Sequence, residues 1–138
     1  MDNVVQEKTR KIVELEHIFY SIGDAEKISW AIKTDDMLEV QTRDHIKMYK
    51  NKITDTQSKY VALHVGLFWA IGVFTIKNGD KITIKLEDET MIMNFKSKSN
   101  TDDEFIKNRT RFINQLIIQR KLAVSFELIE PKENLARK

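Results

Sequence analysis

The chain has 138 residues and a formal net charge of +2, which suits one globular domain and lacks the cation excess of a dedicated nucleic-acid binder. Hydrophobic residues make up 41% of the chain and charged residues 32%, a composition that excludes intrinsic disorder. The absence of cysteine excludes a disulfide framework and cysteine-bound zinc. No secretory signal pattern is visible at the start, and we predict a cytoplasmic location.

The first part of the chain, residues 1–58, is predicted to be helical. Apolar residues recur at heptad spacing through residues 3–22, which predicts a first helix. Residues 25–33 fit either a helix or a strand, and we favour a short helix. Asp36 is followed three positions later by Glu39, the spacing of a capping box, which predicts another helix.

An apolar run follows at residues 60–76. It is shorter than the ~20 residues of a membrane-spanning helix, and we interpret it as buried core. The run can be a strand or a helix, and in the helical interpretation Ala62, Gly66 and Ala70 share one face. That face would permit close packing against another surface.

The middle of the chain carries the clearest turn signal. Asn78-Gly79 lies between alternating apolar segments, the pattern typical of a two-residue β-hairpin. It predicts strands at residues 80–87 and 90–97 within an antiparallel meander. Residues 101–120 then predict a long amphipathic helix.

Alternation returns at residues 122–128, which predicts a last strand. Pro131 ends it, and residues 131–138 are expected to be a frayed tail. These elements predict a single domain over residues 1–138 with an α+β fold. N-terminal helices would pack on an antiparallel β-meander, followed by one long helix and a returning strand.

Two groups of cations could contact phosphates, because phosphate binding needs clustered lysine and arginine. We predict these nucleic-acid-binding candidates on two helix faces: Arg43, Lys47, Lys50, Lys107 and Arg111. A solvated helix face explains the same pattern and is the interpretation we favour.

Arg109 stands out because it falls on the apolar stripe of its predicted helix. A structural ion pair with a carboxylate is the favoured interpretation. The alternative is an anion or ligand pocket formed by Arg109, His64 and Trp69. His45 and His64 both lie among apolar neighbours, but their spacing does not require them to meet. We therefore predict no metal site and no cofactor.

The sequence contains no phosphate-binding loop and no nucleophile motif. We predict a non-catalytic interaction module that forms a homodimer or another homo-oligomer, or binds a protein partner. One alternative is a nucleic-acid-binding protein that uses the basic helix faces. The other is a small-ligand-binding or enzymatic domain with an apolar pocket, and a membrane partner is not expected.

Overall fold

A computed structural model describes residues 15–97 and 101–137. Within these ranges the chain forms five strands and three α-helices. They are β1 (Glu16–Gly23), β2 (Lys27–Thr34), β3 (Met37–Asp44), α1 (Asp55–Gly72), β4 (Lys81–Leu86), α2 (Glu89–Lys96), α3 (Glu104–Gln119) and β5 (Ala123–Leu128), followed by a 3-10 turn at Pro131–Glu133.

The strands form one mixed sheet in the order β3-β2-β1-β4-β5. β1 pairs with β2, and β2 with β3, in antiparallel fashion, whereas β1 with β4 and β4 with β5 are parallel. Parallel neighbours need a long crossover, which the helices supply. The predicted antiparallel meander is therefore wrong.

The predicted N-terminal helices are also wrong where the chain is described, because residues 16–44 form β1, β2 and β3. Asp24 makes the first turn, where its Oδ1 accepts a hydrogen bond from the backbone N–H of Lys27 at 2.9 Å. Asp35 makes the second turn with a φ of 53°, a conformation that aspartate tolerates better than most residues. The start of the predicted first helix, residues 1–14, lies outside the described residues.

Helix α1 confirms the helical interpretation of the apolar run. Thr54 and Gln57 form its capping box, in which each side chain accepts the other residue's backbone N–H at 3.0 Å. The small residues of α1 face the sheet, and a Cβ added at Gly66 would lie 2.6 Å from Phe19 Cζ. They bring the helix close to β1 and β2 and do not form a partner surface.

No helix of the described chain combines the length and apolar character needed to cross a membrane.

The Asn78-Gly79 turn is present, with Gly79 at a φ of 88°, but the predicted hairpin is wrong. The segment before the turn is not a strand, and the Gly79 N–H donates instead to the carbonyl of Arg120 at 2.9 Å. The strand predicted after the turn is confirmed as β4. The strand predicted at residues 90–97 is wrong, because residues 89–96 form α2.

The long helix and the last strand are confirmed as α3 and β5. β5 enters the edge of the sheet parallel to β4, from Lys81↔Ala123 to Leu86↔Leu128. The main hydrophobic core lies between the sheet and the helices, around Phe19, Trp30, Leu63, Ile84 and Ile113.

A smaller apolar cluster lies apart from this core, at Tyr20, Ala31, Ile129 and Ala136. The predicted frayed tail contributes to it through Leu135 and Ala136, which pack on this cluster. Asn134 and Ala136 are buried, at 4% and 2% exposure.

A buried polar network lies at the end of the sheet where β1 and β4 begin. His17 Nε2 lies 2.8 Å from Asp80 Oδ2, and His17 Nδ1 lies 2.6 Å from Thr34 Oγ1. Burial alone would raise the pKa of Asp80, but hydrogen bonds from His17 and from two backbone N–H groups lower it below its ordinary value. This network ties β1 and β2 to the turn before β4, and it has a structural role.

Candidate functional site at the strand ends

The carboxyl ends of β1 and β4 lie at the point where the chain leaves the sheet in different directions. β1 continues into β2 on one side, whereas β4 lies on the other side and continues into α2. In open sheets with parallel strands, ligands bind in the crevice outside such strand ends.

A cavity of about 470 Å³ lies here, and we call it the strand-end crevice. It is lined by Ile22, Gly23, Asp24, Lys27, Ile28, Ser29, Thr42, Asp55, Lys59, Ala136 and Arg137.

Helix α1 contributes Lys59 to the crevice. Its Nζ lies 3.4 Å from Asp88 Oδ2, and the lysine side chain keeps 29% of its surface exposed. The other oxygen of Asp88 accepts the backbone N–H of Met91 at 3.2 Å and so caps α2. Asp88 thus joins the end of β4, the start of α2 and the crevice wall.

Arg137 reaches the crevice from the C-terminal segment. Its Nε and Nη2 donate to the two carboxylate oxygens of Glu87 at 2.6 and 2.8 Å, the two-point geometry favoured by arginine and carboxylate. The hydrogen bond from Arg137 lowers the pKa of Glu87, and burial opposes this effect in part. Glu87 is 9% exposed and Arg137 is 46% exposed, so the guanidinium still presents an outer surface.

Asn134 holds this segment over the strand ends. Its Nδ2 donates to Glu87 at 2.8 Å and to the carbonyl of Ser21 at 3.2 Å. Its Oδ1 accepts the backbone N–H of Ala136 at 2.9 Å. The crevice therefore depends on residues from both ends of the described chain.

The crevice is lined by charges of both signs, and two of its cations are already paired with Asp88 and Glu87. Lys27, Lys59 and Arg137 are its cationic lining residues. Among the acidic lining residues, Asp24 is already satisfied by backbone N–H groups, which lower its pKa through the hydrogen bond from Lys27 above all. The exposed parts of these cations are the groups that could each contact one phosphate.

The nucleic-acid-binding candidates from the sequence lie outside this crevice. Arg43 is on β3 and lies over the ring of Trp30, while Lys47 and Lys50 follow in the loop before α1. Lys107 and Arg111 are on α3, where they contact Glu104 and the ring of Phe112 respectively. Because residues 37–44 form a strand, the predicted helical stripe containing Arg43 does not exist.

The pocket candidates do come together. Arg109 Nη1 donates to His64 Nδ1 at 3.0 Å, and Arg109 Nη2 donates to the Tyr49 hydroxyl at 2.7 Å. Arg109 and Trp69 line one cavity of about 410 Å³. The favoured ion pair is absent, since no described carboxylate lies within salt-bridge distance of Arg109.

The two histidines have separate partners. Burial, and then the nearby Arg109 charge, lower the pKa of His64. His45 Nε2 instead lies 2.7 Å from Ser58 Oγ and 3.0 Å from the carbonyl of Asp24. Among residues 15–97 and 101–137, no group of three or more histidine or acidic side chains could hold a metal ion.

The residues that build the crevice were not identified from the sequence. Glu87 and Asp88 follow directly after the alternating strand, and a pair of carboxylates at a strand end was the available signal. Lys59 and Arg137 carried no such signal, because their role depends on which strands are neighbours.

Comparison with known proteins gives a fold and no sequence family. No family model matches the chain, and no curated protein matches it. Among solved structures, the N-terminal RNase H domain of Rv2228c from Mycobacterium tuberculosis is similar, with a TM-score of 0.71 and 10% identity over 88% of this chain and 92% of that chain.

Two further structures agree. LC11-RNase H1 in complex with an RNA/DNA hybrid has a TM-score of 0.64 and 11% identity, over 88% of this chain and 89% of that chain. RNase H1 from Halobacterium salinarum NRC-1 has a TM-score of 0.58 and 12% identity, over 83% and 86% of the two chains. The likeness shows that the fold is RNase H-like.

This fold corrects the functional prediction. A non-catalytic interaction module that self-associates or binds a protein partner is wrong, because the chain has the architecture of RNase H domains. Nothing in these comparisons supports a homodimer.

Proposed function

We propose that this RNase H-like domain binds nucleic acid, with an RNA/DNA hybrid as its ligand, and that the strand-end crevice holds the phosphate backbone. The observation that carries the proposal is the set of cations at the carboxyl ends of β1 and β4, where sheets of this kind present ligands. The similar structure of LC11-RNase H1 was solved with an RNA/DNA hybrid. A cytoplasmic location stays a prediction.

Binding would use the exposed parts of side chains that are already positioned. The Glu87 carboxylate holds the Arg137 fork on one edge, while 46% of the arginine side chain remains exposed. Lys59 is likewise partly exposed beside Asp88. Each cation that neutralises a phosphate releases a counterion, so affinity should fall steeply with salt.

The crevice residues do not form a divalent-cation site, since no group of three or more histidine or acidic side chains in the described part of the chain could hold a metal ion. Phosphodiester hydrolysis often uses one or two such ions held by free carboxylate oxygens. Both oxygens of Glu87 accept hydrogen bonds from Arg137, and those of Asp88 face Lys59 and a backbone N–H. We therefore derive binding from these residues and no metal-assisted step.

The cations predicted from the sequence could extend the contact beyond the crevice. Arg43, Lys47, Lys50, Lys107 and Arg111 are all exposed. We propose them as outer contacts that add affinity without selecting the ligand, because exposed cations bind phosphates of any sequence.

The test is fluorescence anisotropy with a labelled RNA/DNA hybrid, titrated at several salt concentrations. The pair of changes Lys59→Gln and Arg137→Gln should each weaken binding and reduce the salt slope by about one. Lys81→Gln is the matched control, because Lys81 lies at the opposite end of β4. Thermal unfolding checks that each variant is folded.

Duplex DNA and duplex RNA of the same sequence measure the preference for the hybrid. The proposal is wrong if the hybrid does not bind at low salt, or if Lys81→Gln weakens binding as much as the crevice variants do. Incubating the hybrid with the protein and Mg²⁺ measures hydrolysis separately from binding.

A further inference from the structure

A second cavity lies between α1, β2 and the loop before α1, and we call it the aromatic cavity. Its volume is about 410 Å³, within the range of small-ligand pockets. It is lined by Ile28, Trp30, Arg43, Asp44, His45, Ile46, Tyr49, Val61, Val65, Trp69 and Arg109.

Aromatic rings form much of its wall. The ring centroids of Trp30 and Trp69 are 5.8 Å apart and their planes are tilted by 54°. Tyr49 packs edge-on against Phe105, with centroids 5.5 Å apart. Trp30 is 1% exposed and supports Trp69 from behind, so the partly exposed rings of Trp69 and Tyr49 are the apolar surface that a flat ligand could meet.

The two arginines of the cavity have no counter-charge. Arg43 lies over the Trp30 ring at 5.6 Å, and Arg109 lies over the Tyr49 and Phe105 rings at 5.6 and 5.4 Å. No described carboxylate forms an ion pair with either of them. Asp44 also lines the cavity, but its carboxylate pairs with Lys50 at 3.2 Å.

Arg109 is positioned in advance for an anion. His64 Nδ1 accepts one of its N–H groups and the Tyr49 hydroxyl accepts another, which fixes the guanidinium plane. Both acceptors are neutral, since a protonated Nδ1 could not accept. The positive charge therefore remains available, and the guanidinium retains further N–H groups for a ligand.

We propose that the aromatic cavity binds a nucleoside monophosphate, with the base against the partly exposed Trp69 ring and the phosphate between Arg43 and Arg109. A phosphate monoester carries a charge of about −1.5 to −2 at pH 7. This charge balances two arginines, whereas the single negative charge of a carboxylate would balance one. The proposal goes beyond the binding of a nucleic-acid backbone in the strand-end crevice and does not depend on it.

Tryptophan fluorescence tests this directly, because the chain contains two tryptophans and both line the cavity. Titration with adenosine monophosphate should change the emission saturably, with a Kd below about 1 mM. Adenosine and inorganic phosphate, each lacking half of the ligand, should bind at least about tenfold more weakly.

The variants Arg43→Met and Arg109→Met should each weaken adenosine monophosphate binding at least about tenfold. Arg43 is exposed on an edge strand, so its variant keeps the test valid if Arg109→Met unfolds. Arg111→Met is the matched control on α3, because Arg111 does not line the cavity, and its affinity should equal that of the wild type.

The same titration separates this site from the crevice. Lys59→Gln and Arg137→Gln should leave adenosine monophosphate binding unchanged, even if they abolish hybrid binding. If a short 5′-phosphorylated oligonucleotide displaces adenosine monophosphate, the ligand is the 5′ end of a nucleic-acid strand. If it does not, the ligand is a free nucleotide. The inference is overturned if emission does not change saturably, if adenosine binds as tightly, or if both folded arginine variants retain wild-type affinity.

Discussion

The strand-end crevice and the aromatic cavity both border α1 and β2, yet they hold their cations in different ways. In the crevice, Lys59 and Arg137 are each paired with a carboxylate of the same chain. In the cavity, Arg43 and Arg109 rest on rings and neutral acceptors. An anion must compete with existing ion pairs in the first site, whereas in the second it supplies a missing counter-charge.

The exposed fraction of a cation is therefore a poor guide to whether it can bind an anion. Arg137 is well exposed but forms an ion pair with Glu87. Arg109 is partly buried and has no ion-pair partner among the described residues. We expect crevice binding to need several contacts at once, as a nucleic-acid backbone provides. In the aromatic cavity, a single anionic group can contact the arginines without displacing an ion pair.

The largest effect that separates the two sites should come from Gly66→Ala. The new Cβ would lie within 3 Å of Phe19 and Trp30 atoms, so the ring of Trp30 must shift. We expect a loss of about 1–3 kcal/mol in the free energy of unfolding, together with a changed aromatic cavity and an intact crevice. Urea unfolding followed by circular dichroism measures the loss.

Gly72→Ala is the matched control in the same helix, because a Cβ there meets no atom within 4 Å. It should be neutral or stabilise α1 by up to about 1 kcal/mol. Equal destabilisation by both changes would contradict the close contact of α1 with the sheet.

The next largest effect should be that of Asn134→Ala on the crevice. The change leaves the Ser21 carbonyl and the Ala136 N–H without their partner, and we expect a loss of about 1–3 kcal/mol. Hybrid binding should weaken as the C-terminal segment loosens, while the aromatic cavity keeps its affinity. Asn114→Ala, at an exposed position of α3, should leave stability and both affinities unchanged.

A smaller effect on stability should appear at acid pH, where Glu87 becomes protonated. Its folded-state pKa lies below the ordinary value of 4.5 because Arg137 stabilises the carboxylate. The stability contributed by this carboxylate is present above pH 4.5 and is lost as pH falls through the lowered pKa. Unfolding curves recorded from pH 6 downward, at about half-unit steps, should therefore show a steeper decline for wild type than for Glu87→Gln. Parallel declines would show that the ion pair adds nothing to folding.

The smallest effect should come from His64, which contacts Arg109 and becomes positively charged when it is protonated. Its pKa lies below the ordinary value of 6.5, so below pH 6.5 the unfolded chain takes up a proton that the folded chain does not. Stability should therefore fall as pH drops from 6.5 toward the lowered pKa. His64→Gln keeps an acceptor for Arg109 without titrating, and its stability should not change in that window. A matching decline in the variant would assign the effect to another group.

The elements that could be predicted are those with one covered face. β4 alternates buried and partly exposed residues along its length, and α3 presents a single apolar stripe to the core. In both, burial follows the period of the backbone, so the pattern is readable from the residues alone.

The elements that were missed break that rule. β1 has consecutive buried residues at Phe19, Tyr20 and Ser21, because the sheet is covered on both faces there and alternation is lost. β3 is the reverse case, an edge strand with mostly exposed residues that resembles a solvated helix. In α2, Met91 and Ile92 are adjacent and both buried, which a helix allows and the assumed strand would not.

The crevice could not be predicted because it depends on strand order. Asn78-Gly79 is a real turn, but a turn does not reveal that β4 pairs with β1 in parallel across the chain, as in Glu16↔Lys81. In the aromatic cavity, the sequence singled out Arg109 but favoured an ion pair that the described residues do not form. Arg109 among apolar positions is a local anomaly, and such an anomaly is visible wherever the helix later packs.

The hydrogen bond from Asn134 to Ser21 joins positions 113 residues apart, and this separation has a consequence for biosynthesis. At a translation rate of about 5–20 residues per second, the end of β1 leaves the ribosome roughly 6–23 seconds before Asn134, which completes it. The nascent chain thus passes through a stage in which β1 has been synthesised and the strand-end crevice is incomplete.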